Sequence, residues 1–271
     1  MRRAFASVAL VVWSAVGVPA PVSAQTSSSM SMSRPTPPEL GFLTSYRFHL
    51  NALRLLSSGE SFVWDTDVGA DLDVFDFRSV RGNVLTAFEG ILGEEIRPID
   101  PNQVNYTIDL SVWWRPGEKL GELGATFHHV SRHLSDREKV FAIAWNFLGL
   151  QYVHTLQFGF LDLDLGGRGL WKLQRSFVDY AGEIGGYVEV ARPLAGRTSF
   201  MFGGEVTAVP VTQRLRNRDT LIGSKIEAGV RFHGGRGVGE VFVARERRID
   251  ADPLDLNPTT FTMLGFRFLS Q

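Results

Sequence analysis

From Thr44 to the end of the chain, apolar and polar residues alternate with a period of two. In Val104–Trp114, Val104, Tyr106, Ile108, Leu110, Val112 and Trp114 share one side, and Asn105, Thr107, Asp109, Ser111 and Trp113 share the other. In Phe62–Val74, Asp65, Asp67, Asp71 and Asp73 oppose Trp64, Val68, Leu72 and Val74. Further on, Ile222, Ile226, Ala228, Val230 and Phe232 oppose Lys225, Glu227, Arg231 and His233, and Leu264, Phe266 and Phe268 oppose Met263, Gly265 and Arg267. Successive side chains of a strand point to opposite sheet faces, so this is a strand pattern. A soluble sandwich would hide the apolar face inside; a transmembrane barrel would turn it to lipid. Runs of about ten or more residues exceed the usual soluble strand and suit a tilted bilayer crossing. Aromatics near segment ends, Trp64, Trp114, Phe266 and Phe268, suit interfacial girdles. The pattern predicts an all-β fold, a single-chain antiparallel transmembrane β-barrel.

The segments 44–56, 61–74, 82–92, 103–115, 121–131, 139–146, 150–162, 180–192, 197–209, 220–233, 236–247 and 259–269 make about twelve strands. An even count leaves both chain ends in the periplasm. A weaker segment, Arg168 to Gln174, would break that parity and is assigned to an excursion at 163–178. Gly/Pro-rich turns at Arg115-Pro-Gly, Arg192-Pro-Leu-Ala-Gly and Gly234-Gly-Arg-Gly fall on the periplasmic side. The longer connections 93–102, 163–178, 210–219 and 247–258 fall outside. Interior positions then include Asp65, Asp67, Asp71, Asp73, Asp109, Glu183, Glu189, Glu205, Glu227, Glu240, Arg231 and Arg267, a lattice of both signs. It reads as structural ion pairs or, alternatively, as the wall of a narrow pore. The four aspartates lie along one strand face without the glycine turn of an EF-hand loop, so no metal site is read there.

The ends and the composition narrow the class. Arg2 and Arg3, the apolar run Ala6–Val18 and Val22-Ser23-Ala24 read as a secretory signal peptide over residues 1–24. Residues 25–40 are rich in Ser, Met and Pro and read as a disordered linker, leaving 41–271 for the barrel. The expected location is the cell outer membrane. The expected partners are its lipids, lipopolysaccharide and phospholipid, and the barrel-assembly machinery. Phe268 in an aromatic last strand resembles the terminal Phe that helps assemble bacterial outer-membrane proteins, although Leu-Ser-Gln follows it here. A formal net charge of −1 argues against a nucleic-acid partner, and the absence of cysteine removes disulfide and thiolate chemistry. No nucleophile elbow, P-loop or zinc-binding His-Glu-x-x-His occurs, and no cofactor is implied.

Chemistry enters at Gly124–Asp136, GATFHHVSRHLSD. Leu123, Ala125 and Phe127 form an apolar row that His129 and Ser131 continue at the outer rim. Residues two apart lie about 6.6 Å apart along a strand, so an imidazole can reach the hydroxyl of its i+2 neighbour. A serine needs such a base, and the base needs a group to orient it. The reading is Ser131 as nucleophile and His129 as general base toward lipid acyl esters, with Asp136 or Glu138 as the acid. Glu138 would point inward if Phe141, Ile143 and Trp145 face lipid. The competing reading makes this a structural or lipopolysaccharide-contacting barrel, with Arg132 and His133 among headgroups and Arg214, Arg216 and Arg218 gripping phosphates. His128 points inward without a role, and His154 falls on the lipid face.

Two resemblances attach to these residues. The His129-x-Ser131 pair on an outward strand resembles the outer-membrane lipid A 3-O-deacylases, which carry a Glu on the next strand and an Asn where Arg132 stands. It covers about a dozen residues and implies an acyl esterase. More broadly, His129-Val-Ser131-Arg-His133-Leu134-Ser-Asp136, Gly237–Ala244 and Leu264–Phe268 resemble an uncharacterised family of bacterial outer-membrane proteins. That family carries a His-x-Ser-Ser-His-Leu-Gly-Asp-Glu signature. Ser131 and His133 match it; Arg132, Ser135 and Arg137 depart. This likeness implies a barrel and no established activity.

Overall fold

The computed structural model describes residues 40–56, 59–117, 119–135, 141–212 and 217–270. The segments read as signal peptide and linker, up to residue 39, lie outside them. Twelve strands follow one another in chain order: β1 Gly41–Leu55, β2 Trp64–Asp76, β3 Val80–Gly93, β4 Asp100–Trp114, β5 Glu122–Leu134 and β6 Ile143–Gln157, then β7 Asp162–Ser176, β8 Gly182–Pro193, β9 Thr198–Val209, β10 Leu221–His233, β11 Gly237–Arg248 and β12 Thr259–Ser270. Each pairs antiparallel with its sequence neighbours, and β1 closes on β12 through a register running from His49↔Leu269 to Leu55↔Met263. A 13-residue strand such as β2 extends for about 43 Å and, tilted by about 45°, spans about 30 Å, the thickness of a hydrocarbon core.

Alternation decides what each face meets. Leu110, Val112 and Trp114 on β4, Leu148 and Leu150 on β6, Val241 and Val243 on β11, and Leu264, Phe266 and Phe268 on β12 stand exposed on the outside. Such a belt of bare apolar side chains is stable against lipid and not against water. The other face of the same strands is buried and polar. Arg47 pairs with Asp71 at 2.6 Å and His49 with Asp67 at 2.9 Å. Arg81 pairs with Asp73 at 2.9 Å and Glu122 at 2.7 Å. Arg267 joins Glu227 and Glu240 at 2.9 and 2.8 Å, and Arg248 joins Asp65, Glu89 and Glu246. The four β2 aspartates are thus each bound to a cationic or imidazole partner. One recess of about 320 Å³ opens in the lumen toward the end bearing the chain termini, lined by Arg47, Tyr187, Glu205, Lys225, Arg231 and His233. At the same end Trp113 is fully buried, stacked by Arg81 and resting on Gly124, where a Cβ would come within 2.7 Å of the indole.

Two elements differ from the sequence reading. The segments read as separate strands, 139–146 and 150–162, belong to one strand, β6, and the supposed excursion at 163–178 contains β7. The count survives because one strand is lost and one gained. The phase of β6 also reverses the expectation for its first half. Ile143, Trp145 and Phe147 point into the barrel at 1%, 5% and 0% exposure, so they are not lipid-facing. They form an apolar plug with Val130, Leu134, Leu170, Val178, Tyr180, Val209 and Ile249, at the barrel end opposite the termini. An apolar row signals only burial away from water; inside a plugged barrel that condition is met as well as in lipid.

Candidate functional site

Reversing β6 brings a new residue to the outer face. Ala144, Asn146, Leu148 and Leu150 now face outward, beside the outward row Phe127, His129, Ser131 and His133 of β5. The β5–β6 register sets His129 directly opposite Asn146 and Ser131 opposite Ala144. Directly opposed residues on one sheet face are within side-chain reach. His129 Nδ1 lies 2.6 Å from Asn146 Oδ1. On the far side Asn146 Nδ2 donates to Gln174 Oε1 at 3.5 Å. Gln174 reaches that place through a bulge. By strict alternation it would share the inward face of Arg168 and Leu170, but Leu173 is left without a partner between Phe147↔Lys172 and Asn146↔Gln174. The extra residue turns Gln174 outward beside Asn146.

This arrangement fixes the imidazole. With its NH2 turned to Gln174, Asn146 presents only a carbonyl oxygen to His129, and a carbonyl only accepts. The proton of neutral His129 therefore sits on Nδ1, and Nε2 keeps the lone pair that a general base needs. Ser131, two residues on, has its Oγ 3.1 Å from Nε2 of His133. The hydroxyl expected on His129 is thus bonded to His133 instead in this conformation, with the serine placed between the two histidines along the outward row of β5. Rotation about its Cα–Cβ bond to another staggered position re-aims it. His133 is exposed and stacks edge-on against Tyr106 at 5.2 Å and 87°.

Other sequence-derived assignments change. Arg132, read as a headgroup ligand, points inward with 2% exposure. Its Nη1 donates to the Asp250 carbonyl at 2.8 Å and its guanidinium stacks on Trp145. Arg218, read as a phosphate grip, is bound by two buried carboxylates, Asp179 at 3.0 Å from Nε and Asp250 at 2.7 Å from Nη1. Burial alone would lower its guanidinium, but the bonds to Asp179 and Asp250 outweigh it and raise it above the ordinary value. Neither arginine faces lipid, because each is needed to compensate charge or cover aromatic surface behind the wall. Asp136, Glu138, Arg214 and Arg216 lie outside the described residues. His128 is buried with Nδ1 on Asp109, and His154 lies on the outer face beside Tyr152, both as expected. Asn146 was the residue missed. Its signal was an amide in the row Ala144, Leu148, Leu150, legible only once β6 is read as one strand.

No family model and no curated protein matches the sequence. Solved structures do. An outer-membrane channel from Pseudomonas putida F1 is 12% identical with a TM-score of 0.54, covering 88% of this chain and 99% of its own. The outer membrane phospholipase A from Escherichia coli is 10% identical with a TM-score of 0.52, covering 85% and 98%. The outer membrane phospholipase of Salmonella typhi, a dimer with bound calcium, is 10% identical with a TM-score of 0.51, covering 88% and 94%. At such identity the likeness establishes the fold. The chain is a single-chain, closed, twelve-stranded outer-membrane β-barrel.

Proposed function

We propose that this barrel hydrolyses acyl esters of membrane lipids at its outer wall, with Ser131 as nucleophile, His129 as general base and Asn146 as the residue positioning the imidazole. The observation that carries the reading is the 2.6 Å contact between His129 Nδ1 and Asn146 Oδ1, beside a serine on a lipid-facing surface. A purely structural surface has no need to fix an imidazole tautomer there. The phospholipase A barrels similar in fold add support for a lipid ester as substrate. Ser131 lies three residues from the end of β5, with Tyr106, Ile108 and Leu148 exposed around and below it. Acyl chains lie along that apolar wall while water reaches the ester from the rim.

The steps follow from the groups. Ser131 Oγ attacks the ester carbonyl as its proton passes to His129 Nε2. The imidazolium is held by the Nδ1–H bond to Asn146, and gives its Nε2 proton to the departing alkoxide. Water then attacks the acyl-serine as its proton passes to His129 Nε2; the adduct breaks its bond to Ser131 Oγ, which takes that proton back, and the carboxylic acid leaves. The test is fatty-acid release from phospholipid and from lipid A in mixed detergent micelles. Ser131→Ala is expected to lower kcat by at least about 10³-fold. Equal release by Ser131→Ala and the parent would refute the site. A barrel that only contacts lipopolysaccharide would release nothing from either lipid.

A further inference from the structure

We infer that His133 is a further catalytic residue, whose Nε2–H donates to the oxyanion formed at the substrate carbonyl; this rests on Ser131 being the nucleophile. Acyl transfer puts negative charge on the carbonyl oxygen, and donors aimed at it are often the largest single catalytic contribution. Backbone N–H groups commonly serve. Here Ser131 and Arg132 are in register with both neighbours, Ser131 with Tyr106 and Ala144, Arg132 with Asn105 and Ile143, so their backbone groups belong to the ladder. A side chain is the available alternative, and His133 Nε2 already stands 3.1 Å from the nucleophilic oxygen.

The two imidazoles flanking Ser131 are not equivalent. His129 has a carbonyl acceptor on Nδ1, which leaves Nε2 as an acceptor. His133 turns Nε2 to Ser131 Oγ and meets Tyr106 edge-on, on the rim side of the serine. A hydroxyl donates once and accepts as well. When Ser131 donates its proton to His129 Nε2, Oγ can only accept from His133, which places the proton of His133 on Nε2. As Oγ bonds to the carbonyl carbon, the carbonyl oxygen becomes the anion attached to that same carbon. The Nε2–H of His133 then moves from Oγ to that oxygen. No proton is transferred by His133: the serine proton goes to His129, and the anion collapses to expel the alkoxide.

The experiment compares His133→Leu and His133→Gln with the parent in mixed micelles, alongside binding of a long-chain alkylboronic acid, which forms a tetrahedral adduct with a reactive serine. His133→Leu is expected to lower kcat by about 10²–10³-fold with little change in KM, the usual loss for one oxyanion donor. Boronate affinity should fall in step. His133→Gln, which keeps an N–H of similar reach, should recover most of the rate and the affinity. His133 is exposed on the outer face, so neither variant disturbs the core. If His133→Leu keeps full kcat while Ser131→Ala is inactive, the donor role is wrong and the esterase reading stands. If His133→Leu is inactive and His129→Ala is not, His133 is the base and the assignment is overturned. A parent protein inert toward lipid esters removes both the nucleophile and its donor.

Discussion

Replacing Asn146 tests the reasoning most directly, because among the described residues it is the group that orients the His129 imidazole. In the structure the His129 imidazole is oriented by an amide oxygen at 2.6 Å. During acylation the ring becomes an imidazolium, and the Nδ1–H bond becomes a bond from a charged donor. Such bonds contribute about 1.5–3 kcal/mol. With 1.36 kcal/mol per tenfold in rate, Asn146→Ala should lower kcat by about 10- to 150-fold with KM nearly unchanged. That is smaller than the ~10⁴-fold cost of disabling the acid of a serine protease triad, because a neutral amide contributes less than a carboxylate. Asn146→Asp should keep the rate or exceed it. The added negative charge favours imidazolium, so the acidic limb of its kcat/KM profile should move to higher pH. The assay is initial fatty-acid release in mixed micelles across pH 5 to 10, on protein whose barrel is intact by far-UV circular dichroism. Full activity of Asn146→Ala would refute the triad.

Gln174 holds the Asn146 amide in the orientation that offers oxygen to His129, so Gln174→Leu should lower kcat several-fold in the parent and leave an Asn146→Asp background unchanged, since a carboxylate has no wrong face. An equal loss in both backgrounds would mean Gln174 acts otherwise. Arg81→Met should destabilise the barrel by about 3–5 kcal/mol in urea titrations in lipid, because it removes the cation paired with buried Asp73 and leaves Glu122 with Arg115; adding Asp73→Asn should restore part of the loss. Tyr180, buried where its hydroxyl donates to Asp250, has its phenol pushed well above the ordinary 10.0, by burial first and then by the carboxylate. The folded state therefore keeps a proton that the unfolded chain releases. The stabilisation is complete below pH 10 and is lost as pH rises through the folded value; Tyr180→Phe should lack that extra alkaline loss in a pH series of unfolding midpoints.

Much of this molecule follows from a period of two. Residues such as Asp65, Asp109, Glu227 and Arg267 face the lumen, and Leu110, Val241 and Phe266 face outward, as alternation and segment length alone require. The same pattern puts His129 and Ser131 together on an outer face, because parity within one strand does not depend on its neighbours. Parity cannot say which face is the inside when both are apolar. Phe141, Ile143 and Trp145 could be read as lipid-facing because barrel interiors are usually polar, yet Ile143 and Trp145 join Phe147 in a plug with Phe141 packed against it, and only packing against Leu134, Leu170 and Ile249 decides it. Asn146 came into view with that decision. The partners of Ser131 also lie beyond local pattern. Register between β5 and β6 sets Asn146 across from His129, and a bulge in β7 delivers Gln174. Arg132 and Arg218 carry charges that any sequence reading assigns to the surface, whereas Asp179, Asp250 and Trp145 draw them inside. Local sequence determined the strands, their faces and the serine with its flanking imidazoles. Closure of the barrel decided which cross-strand groups meet them, because those contacts depend on register and on the volume left inside, and neither is a property of any single segment.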